Sequence, residues 1–213
     1  DNKNTIDKIF LTASGGPFLN KTFNFMKKVK PINALKHPNW SMGKKISIDS
    51  ATMMNKVFEV IEAQRIFDLN RDKFEILIEK NSYVHAIILF KNGLIKFLAH
   101  RTDMKIPIAN SIFKNKLSIN NDNHQLSKLN NLQFIKPDKN KFLSLKILKI
   151  IPNKISLFET VIIAANDELV NYYLKGKIKF TDINKNLLKI INLKKFVKYK
   201  HIKPRNFAQI YKL

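Results

Sequence analysis

The sequence predicts an α+β fold, with a mixed β-sheet that carries helices on one face, followed by a small C-terminal helical bundle. Short apolar runs bounded by glycine, proline and asparagine indicate strands in the first half of the chain. Beyond residue 141 the apolar residues instead recur at helical spacing. We therefore expect a first domain over residues 1–113, a polar connecting segment over 114–140 and the helical bundle over 141–213.

Five strands are expected in the first domain. Asn92-Gly93 is the strongest short-range hairpin signal in the chain and predicts that the last two strands pair. His85 lies inside one of these apolar runs, where a packed histidine is the expected state. The expected strands cover residues 8–12, 44–49, 74–78, 83–90 and 94–98.

Helices are expected on both sides of the connecting segment. Ser50 is a good N-cap for a helix over residues 51–67, which has an apolar stripe suited to packing on the sheet. In the bundle, amphipathic patterns predict helices over 142–151, 156–175 and 181–193, the second closed by Gly176, with a short helix near the end.

Composition excludes several kinds of chemistry. Because the chain contains no cysteine, it has no disulfide, thiolate nucleophile or Cys-based zinc site. Any metal would have oxygen or histidine ligands, which suits Mg²⁺ or Mn²⁺. No apolar run approaches the roughly 18 residues that span a bilayer, and the first residues lack a signal-peptide core. A cytoplasmic protein without membrane contact is expected.

The net charge of +23 would ordinarily indicate a nucleic-acid or membrane partner. Lysine, however, is spread along the chain together with abundant Asn, Ile and Phe, as an AT-biased genome produces. Residues 1–113 carry 18 basic and 10 acidic side chains, whereas residues 114–213 carry 21 and 6. The excess lies mostly away from the chemistry-bearing stretch described next, so nucleic-acid binding is the lesser interpretation.

Polar, chemistry-bearing side chains concentrate between residues 14 and 59. The loop at Ser14-Gly15-Gly16 exposes backbone N–H groups that can hold an anion, although taken by itself it is better explained as an ordinary strand-ending turn. Residues 37–43 (HPNWSMG) place the only tryptophan, Trp40, on a loop. Trp40 is either a partly buried anchor or part of a lid that closes over a ligand.

Asn55, Lys56 and Glu59 share one face of the expected helix, because they are spaced i,i+3 and i,i+4. A lysine near a helix N-terminus is unfavourable, because the positive end of the helix macrodipole lies there. An anion such as phosphate, bound between the lysine and the helix end, would explain its presence. The alternative is a solvated helix face with an ordinary ion pair. The convergence of these residues with Ser14 and His37 favours a phosphate-binding site.

Those motifs carry a resemblance to a known family. SGGPF (residues 14–18), LKHPNWSMGKKIS (residues 35–47) and DSATMMNK (residues 49–56) are similar to the 1-deoxy-D-xylulose 5-phosphate reductoisomerases, NADPH- and metal-dependent enzymes of non-mevalonate isoprenoid biosynthesis. The resemblance continues through DM and PIA (residues 103–109) into AANDE (residues 164–168) and FTDI (residues 180–183), and so covers most of the chain.

The resemblance implies which residues bind the substrate phosphate. Ser14, Ser50, Asn55 and Lys56 stand where the family holds it, and this agrees with the anion site expected from the residues themselves. The substrate would be a phosphorylated sugar, isomerised and then reduced by hydride transfer to 2-C-methyl-D-erythritol 4-phosphate.

Further roles follow from the same resemblance. His37 would contact the substrate, Trp40 would cover it, and Gly43 would approach the NADPH. Glu59 would be a ligand of the divalent cation, and Met104 matches a methionine near the nicotinamide. His37, Lys56 and Glu59 are thus the expected catalytic residues, and the family's homodimer is the expected assembly.

The sequence also departs from the family pattern. No glycine-rich nucleotide fingerprint precedes Ser14, and the Asp-Ser-Glu segment that supplies other metal carboxylates is missing. We expect that the chain starts inside the catalytic domain. The NADPH-binding domain is then either a separately encoded partner or a part of the same enzyme that this sequence does not include. The other reading is a degenerate, non-catalytic remnant that still folds and binds a phosphorylated ligand. Residues 79–82 (EKNS) replace the usual HPQS, at positions that we interpret as structural.

Overall fold

A computed structural model describes residues 5–36, 42–113 and 129–213 of the chain. It confirms the α+β fold. In these parts of the chain four strands form a mixed sheet with the order β2-β1-β3-β4. β1 runs parallel to β2 and antiparallel to β3, which pairs antiparallel with β4. The strands are β1 (Ile6–Ala13), β2 (Phe74–Ile78), β3 (Val84–Phe90) and β4 (Ile95–Ala99).

The described ranges also contain α-helices and short 3₁₀ helices. The α-helices are α1 (Phe23–Met26), α2 (Pro31–Ala34), α3 (Lys44–Ala51), α4 (Met54–Phe67), α5 (Lys105–Phe113), α6 (Phe158–Leu174), α7 (Phe180–Ile191), α8 (Lys194–Val197) and α9 (Phe207–Tyr211). Short 3₁₀ helices cover Arg71–Lys73, Leu143–Lys149 and Lys198–His201. In the described ranges no helix is long and apolar enough to cross a membrane.

The predicted hairpin is confirmed. The Phe90 amide donates to the Leu94 carbonyl at 2.9 Å, and the Asn92 side chain accepts from the Leu94 amide at 3.1 Å. Gly93 adopts φ +87°, a conformation that glycine reaches without strain. The expected bundle helices over 156–175 and 181–193 correspond to α6 and α7, Gly176 follows α6 at φ +72°, and α9 is the short helix near the end.

The strand expected over residues 44–49 is wrong, because this segment is helix α3. In a strand Ile46 and Ile48 would share one face, yet Ile46 is 40% exposed and Ile48 is fully buried. Gly43 caps the helix start, and its carbonyl accepts from the Ser47 amide at 3.0 Å and from the Ser47 hydroxyl at 2.9 Å. Packing in the core has overridden the apparent alternation of the sequence.

The role expected for Ser50 as a helix N-cap is also wrong. Ser50 lies in the last turn of α3, and the next helix, α4, begins only at Met54. Between them Met53 takes a left-handed conformation at φ +63°, which turns the chain sharply from α3 into α4. The predicted helix over 51–67 is therefore shortened at its start, and a helix–helix corner replaces the predicted strand–helix junction.

The segment predicted as an α-helix over 142–151 is a 3₁₀ helix instead. Its buried residues pair at three-residue spacing, with Ser144 below Ile147 and Leu145 below Leu148. This spacing matches the three residues per turn of a 3₁₀ helix, so both pairs reach the core.

The main hydrophobic core joins the sheet to the C-terminal helices. Ile9 and Ile76 of the sheet, Ile48 and Val57 of α3 and α4, and Ile162 of α6 belong to one continuous cluster. The opposite face of the sheet carries a small cluster, against which residues 132 and 134 pack. Helices α3, α4 and α6 therefore lie on one face of the sheet, as predicted. The division at 113 and 140 stays a prediction, and residues 114–128 of the connecting segment lie outside the described residues.

Candidate functional site

A cavity of about 610 Å³ lies where β1 ends, beside the start of α4 and the β3–β4 hairpin. Six residues singled out from the sequence line it. They come from the loop after β1, from α3, from α4 and from the segment before α5, and the fold brings them together. The six residues are Ser14, Ser50, Asn55, Lys56, Glu59 and Met104.

The loop after β1 approaches α3 so closely that only glycine fits. Gly16 has φ +65°, and a Cβ atom there would lie 3.1 Å from the Ser50 carbonyl oxygen and 3.1 Å from Ala51 Cα. The Gly16 amide donates to the Ser14 hydroxyl at 3.2 Å, which orders the loop. As a result the hydroxyl-bearing residues Ser14 and Ser50 line the same cavity.

Asn55, Lys56 and Glu59 form a hydrogen-bonded group in the first turns of α4. Lys56 Nζ lies 2.5 Å from Glu59 Oε2, and Asn55 Nδ2 lies 2.7 Å from Glu59 Oε1. The Lys56 side chain is only 14% exposed, whereas that of Glu59 is 36% exposed. The shared helix face predicted from the spacing is confirmed.

The cavity is electrostatically suited to an anion. The N-terminal end of α4, a helix of 14 residues, lies at the cavity and contributes the positive end of its macrodipole. Lys56 and the Asn55 amide stand in its first turn and add a charge and hydrogen-bond donors. A phosphate placed there would meet donors from the helix and from the serine hydroxyls.

His85 and His100 line the same cavity, although neither was expected there. Their ring centroids are 3.7 Å apart with an 18° angle between the planes, so the rings stack. Burial is the main reason that the pKa of His85 is lowered; the hydrogen bond to the His100 carbonyl opposes this shift, and the positive charge of Lys56 adds to it. His85 was expected to be packed in the core, but it is half-buried at the cavity wall.

The start of β3, which carries His85, is anchored by a buried carboxylate. Glu79 is 1% exposed and accepts hydrogen bonds from the amides of Asn81, Tyr83 and Val84 at 2.8, 2.7 and 3.2 Å. This residue is the first of the EKNS segment, residues 79–82. Its role here is structural, as we interpreted from the sequence.

The C-terminal region holds the α3–α4 corner in place. The Thr52 carbonyl accepts from the Ser144 hydroxyl at 2.5 Å and from the Asn184 amide at 3.3 Å. Asn166 of α6 donates to Asp49 at 2.8 Å. These bonds fix the backbone on both sides of Ser50, so residues with no contact to the cavity determine its shape.

Lys45 neutralises the buried Asp49 from the solvent side. Its ammonium group lies 2.8 Å from Asp49 and 3.0 Å from Asp167. Burial raises the pKa of Asp49, and the hydrogen bonds from Lys45 and Asn166 oppose that shift. For Lys45, burial lowers the pKa, but the two carboxylates outweigh burial and the net pKa is raised. Asp49 is thus a costly buried charge that depends on both partners.

Other predicted residues are not among those that line the cavity. His37 and Trp40 lie outside the described residues. Gly43 is the N-cap of α3, where a Cβ atom would meet nothing within 4 Å, and its neighbour Met42 lines the cavity.

A magnesium site is not completed by the residues described. Glu59 offers one carboxylate, and both of its oxygens accept hydrogen bonds from Asn55 and Lys56. Within the described ranges no three His, Asp or Glu residues come together as metal ligands. Since Mg²⁺ prefers six oxygen ligands, Glu59 would need further ligands from outside this set.

A larger cavity of about 730 Å³ lies between α4 and the C-terminal segments. Its Arg65 guanidinium is bound to the carbonyls of Pro152, Asn153 and Lys154 and to the Glu159 carboxylate. These contacts fasten the loop to α4, and they identify Arg65 as a structural residue. The smaller cavity is therefore the better candidate for chemistry.

The fold and cavity define an α+β protein with an anion-compatible site at a helix N-terminus. Two family models match the chain, and both describe the same enzyme. Residues 1–67 match the 1-deoxy-D-xylulose 5-phosphate reductoisomerase C-terminal domain, and residues 100–213 match the DXP reductoisomerase C-terminal domain. The chain belongs to the 1-deoxy-D-xylulose 5-phosphate reductoisomerase family.

Individual relatives agree. The 1-deoxy-D-xylulose 5-phosphate reductoisomerase of Pelagibacter ubique (strain HTCC1062) is 53% identical over 212 residues, which are 99% of this chain and 55% of the relative. The reductoisomerase of Sulfurihydrogenibium sp. (strain YO3AOP1) is 41% identical over 191 residues, 89% of this chain and 51% of the relative. The chain thus spans about half the length of these relatives.

Solved structures show the same fold. A DOX-P reductoisomerase in complex with NADPH, fosmidomycin and magnesium superposes with a TM-score of 0.84 at 35% identity, over 92% of this chain and 48% of that one. The enzyme from Zymomonas mobilis in complex with NADPH gives a TM-score of 0.83 at 31% identity, over 99% of this chain and 53% of that one.

Proposed function

We propose that this chain is the substrate- and metal-binding portion of a 1-deoxy-D-xylulose 5-phosphate reductoisomerase. The reaction is the NADPH-dependent isomerisation and reduction of 1-deoxy-D-xylulose 5-phosphate to 2-C-methyl-D-erythritol 4-phosphate, a step of non-mevalonate isoprenoid biosynthesis. The observation that carries the proposal is the convergence of Ser14, Ser50, Asn55 and Lys56 around the start of α4 in one cavity.

In this proposal the phosphate of the substrate binds at the start of α4. Ser14 and Ser50 donate hydroxyl hydrogen bonds, Asn55 donates its amide, and Lys56 supplies the positive charge. The binding energy of this remote, non-reacting group positions the carbon chain for reaction. His37 and Trp40 are proposed to lie over the bound substrate and exclude water from it.

NADPH and a divalent cation are part of the proposal. Related structures contain NADPH and magnesium, and Mg²⁺ or Mn²⁺ is the proposed metal here. Glu59 would give one ligand, and Gly43 would approach the nicotinamide nucleotide. The remaining ligands and most of the NADPH site would come from the part of the relatives that this chain does not match.

A homodimer is the proposed assembly, and two neighbouring elements support it. β4 is an edge strand, and Leu94, Ile95, Phe97 and Leu98 are 52–61% exposed. Helix α5 adds exposed apolar residues, including Ile112 at 65%. An apolar edge strand is a ready site for pairing with another strand, and a second copy of the chain would cover it.

Reconstitution tests the proposed function. The chain is joined to the part of the Pelagibacter ubique relative that it does not match. The assembly is given 1-deoxy-D-xylulose 5-phosphate, NADPH and Mg²⁺, and NADPH oxidation is followed by the absorbance of the reduced nicotinamide at about 340 nm. We expect turnover in the parent assembly, its loss in Lys56→Ala, and near-parent turnover in Lys189→Ala, which removes an exposed lysine of α7. A folded assembly that binds phosphate without turnover would instead identify a non-catalytic remnant.

A further inference from the structure

The β3–β4 hairpin places two imidazoles side by side in the cavity wall. The antiparallel ladder pairs Val84 with Ala99, and at the register shift between Val84 and Ala86 His85, near the start of β3, comes to lie beside His100, just after β4. Their rings are nearly parallel at a centroid distance of 3.7 Å, and both residues are half-buried. Such a stack restricts the rotation of both rings.

Backbone carbonyls determine which nitrogen of each ring carries a proton. His85 Nε2 lies 3.1 Å from the His100 carbonyl oxygen, and His100 Nδ1 lies 2.7 Å from the Arg101 carbonyl oxygen. A carbonyl only accepts, so both of these nitrogens donate. In the neutral rings the lone pairs are therefore at His85 Nδ1 and His100 Nε2.

A hydroxylated ligand needs acceptors in the cavity as well as donors. Lys56 and Asn55 are donors that suit phosphate oxygens, and both oxygens of Glu59 already accept hydrogen bonds from them. A sugar phosphate also carries O–H groups that must donate when they leave water. Burial lowers the pKa of His85, which favours the neutral imidazole, and the remaining nitrogen of a neutral imidazole is an acceptor.

We propose that His100 is a positioning residue for His85. Its ring stack and its carbonyl hold His85 in the Nε2–H tautomer, and His85 Nδ1 accepts a hydrogen bond from a hydroxyl group of the sugar phosphate. This inference rests on the proposed function for the identity of the ligand. The positioning itself is a property of this chain alone and is tested separately.

Nitrogen-15 NMR of the histidine side chains tests the positioning on the chain itself. We expect a single Nε2–H tautomer for His85 in the parent chain. His100→Ala removes the stack but keeps the backbone carbonyl of residue 100, so the freed His85 ring should rotate away from that carbonyl and give averaged signals from both tautomers. His100→Phe keeps an aromatic ring at 100 and should restore the single tautomer. His201→Ala, a change of an exposed histidine on a distant 3₁₀ helix, is the control. A single, unchanged His85 tautomer in His100→Ala would overturn the inference.

Kinetics of the reconstituted assembly test the consequence for the substrate. Loss of one oriented hydrogen bond in His100→Ala should raise KM by about tenfold, with kcat within about threefold of the parent. His100→Phe should return KM to within about threefold of the parent. If the parent assembly turns over and His100→Ala leaves KM unchanged, this inference is refuted, whereas the proposed function still holds. Absent turnover in the parent would refute the proposed function, and the tautomer measurement would then decide the positioning alone.

Discussion

Asn166 of α6 donates a 2.8 Å hydrogen bond to Asp49 of α3, although the two residues are 117 positions apart in the chain. Both side chains are almost completely buried. The bond joins the C-terminal helices to the residue next to Ser50, which lines the candidate substrate cavity. The cavity is therefore supported by a part of the chain that contributes little to its lining.

Replacing Asn166 with alanine should destabilise the fold. Asp49 would keep Lys45 but lose its donor inside the core, and a buried polar atom left without its hydrogen bond costs about 1–3 kcal/mol. We expect a loss of that size in the free energy of unfolding, measured by urea denaturation. Asn171→Ala, a half-buried asparagine further along the same helix, should cost less than about 0.5 kcal/mol. Equal losses in the two variants would contradict the role assigned to Asn166.

The cost of Asn166→Ala should depend on pH. The pKa of Asp49 is raised in the fold, so its contribution to stability is greatest below the unfolded carboxyl pKa of about 3.9 and falls as pH rises through the folded pKa. The Asn166 hydrogen bond opposes that rise, and its removal raises the pKa further. The stability difference between variant and parent should therefore be larger near pH 7 than near pH 4. Denaturation at both pH values checks this, and a larger difference at the acidic pH would refute it.

Lys56→Ala should weaken anion binding by the chain. Lys56 is the partly buried cation at the start of α4, and a charge-assisted hydrogen bond to phosphate contributes about 1.5–3 kcal/mol, or roughly 10- to 100-fold in affinity. Calorimetric titration with inorganic phosphate measures this directly. Lys189→Ala changes the net charge equally and should leave the affinity within about twofold. If both variants weaken binding alike, the affinity comes from the general positive charge of the chain.

Phe97→Lys should weaken self-association. Phe97 is 52% exposed on the edge strand β4, and a charge there opposes burial against a second copy. We expect the dimer dissociation constant from analytical ultracentrifugation to rise by at least about tenfold. Ile32→Lys, at a 69% exposed position of α2, serves as the control. An unchanged constant for Phe97→Lys would exclude β4 as the dimer edge.

Local signals predicted much of the fold. The Asn92-Gly93 turn and the apolar runs on both sides gave the β3–β4 hairpin, because turn geometry and pattern act over a few residues. The run KKISID was misread since Ile46 and Ile48 alternate as in a strand. Their unequal burial comes from contacts with the C-terminal helices, and these are invisible in a short window.

Within the site, spacing along one helix was enough to group Asn55, Lys56 and Glu59. Ser50 was given the wrong structural role, and its place beside Gly16 depends on the left-handed corner at Met53. His100 was missed altogether. The hairpin register alone does not reveal it, because His100 comes to lie beside His85 only at the register shift between Val84 and Ala86, which no local pattern in the sequence predicts.

Product identification tests the central claim most directly. The chain joined to the unmatched part of the Pelagibacter ubique reductoisomerase is incubated with 1-deoxy-D-xylulose 5-phosphate, NADPH and Mg²⁺, and the product is identified by NMR. We predict 2-C-methyl-D-erythritol 4-phosphate in amounts equal to the NADPH oxidised, and none from the Lys56→Ala assembly. Absence of that product from a folded, phosphate-binding assembly, under conditions where the intact Pelagibacter enzyme forms it, would contradict the account.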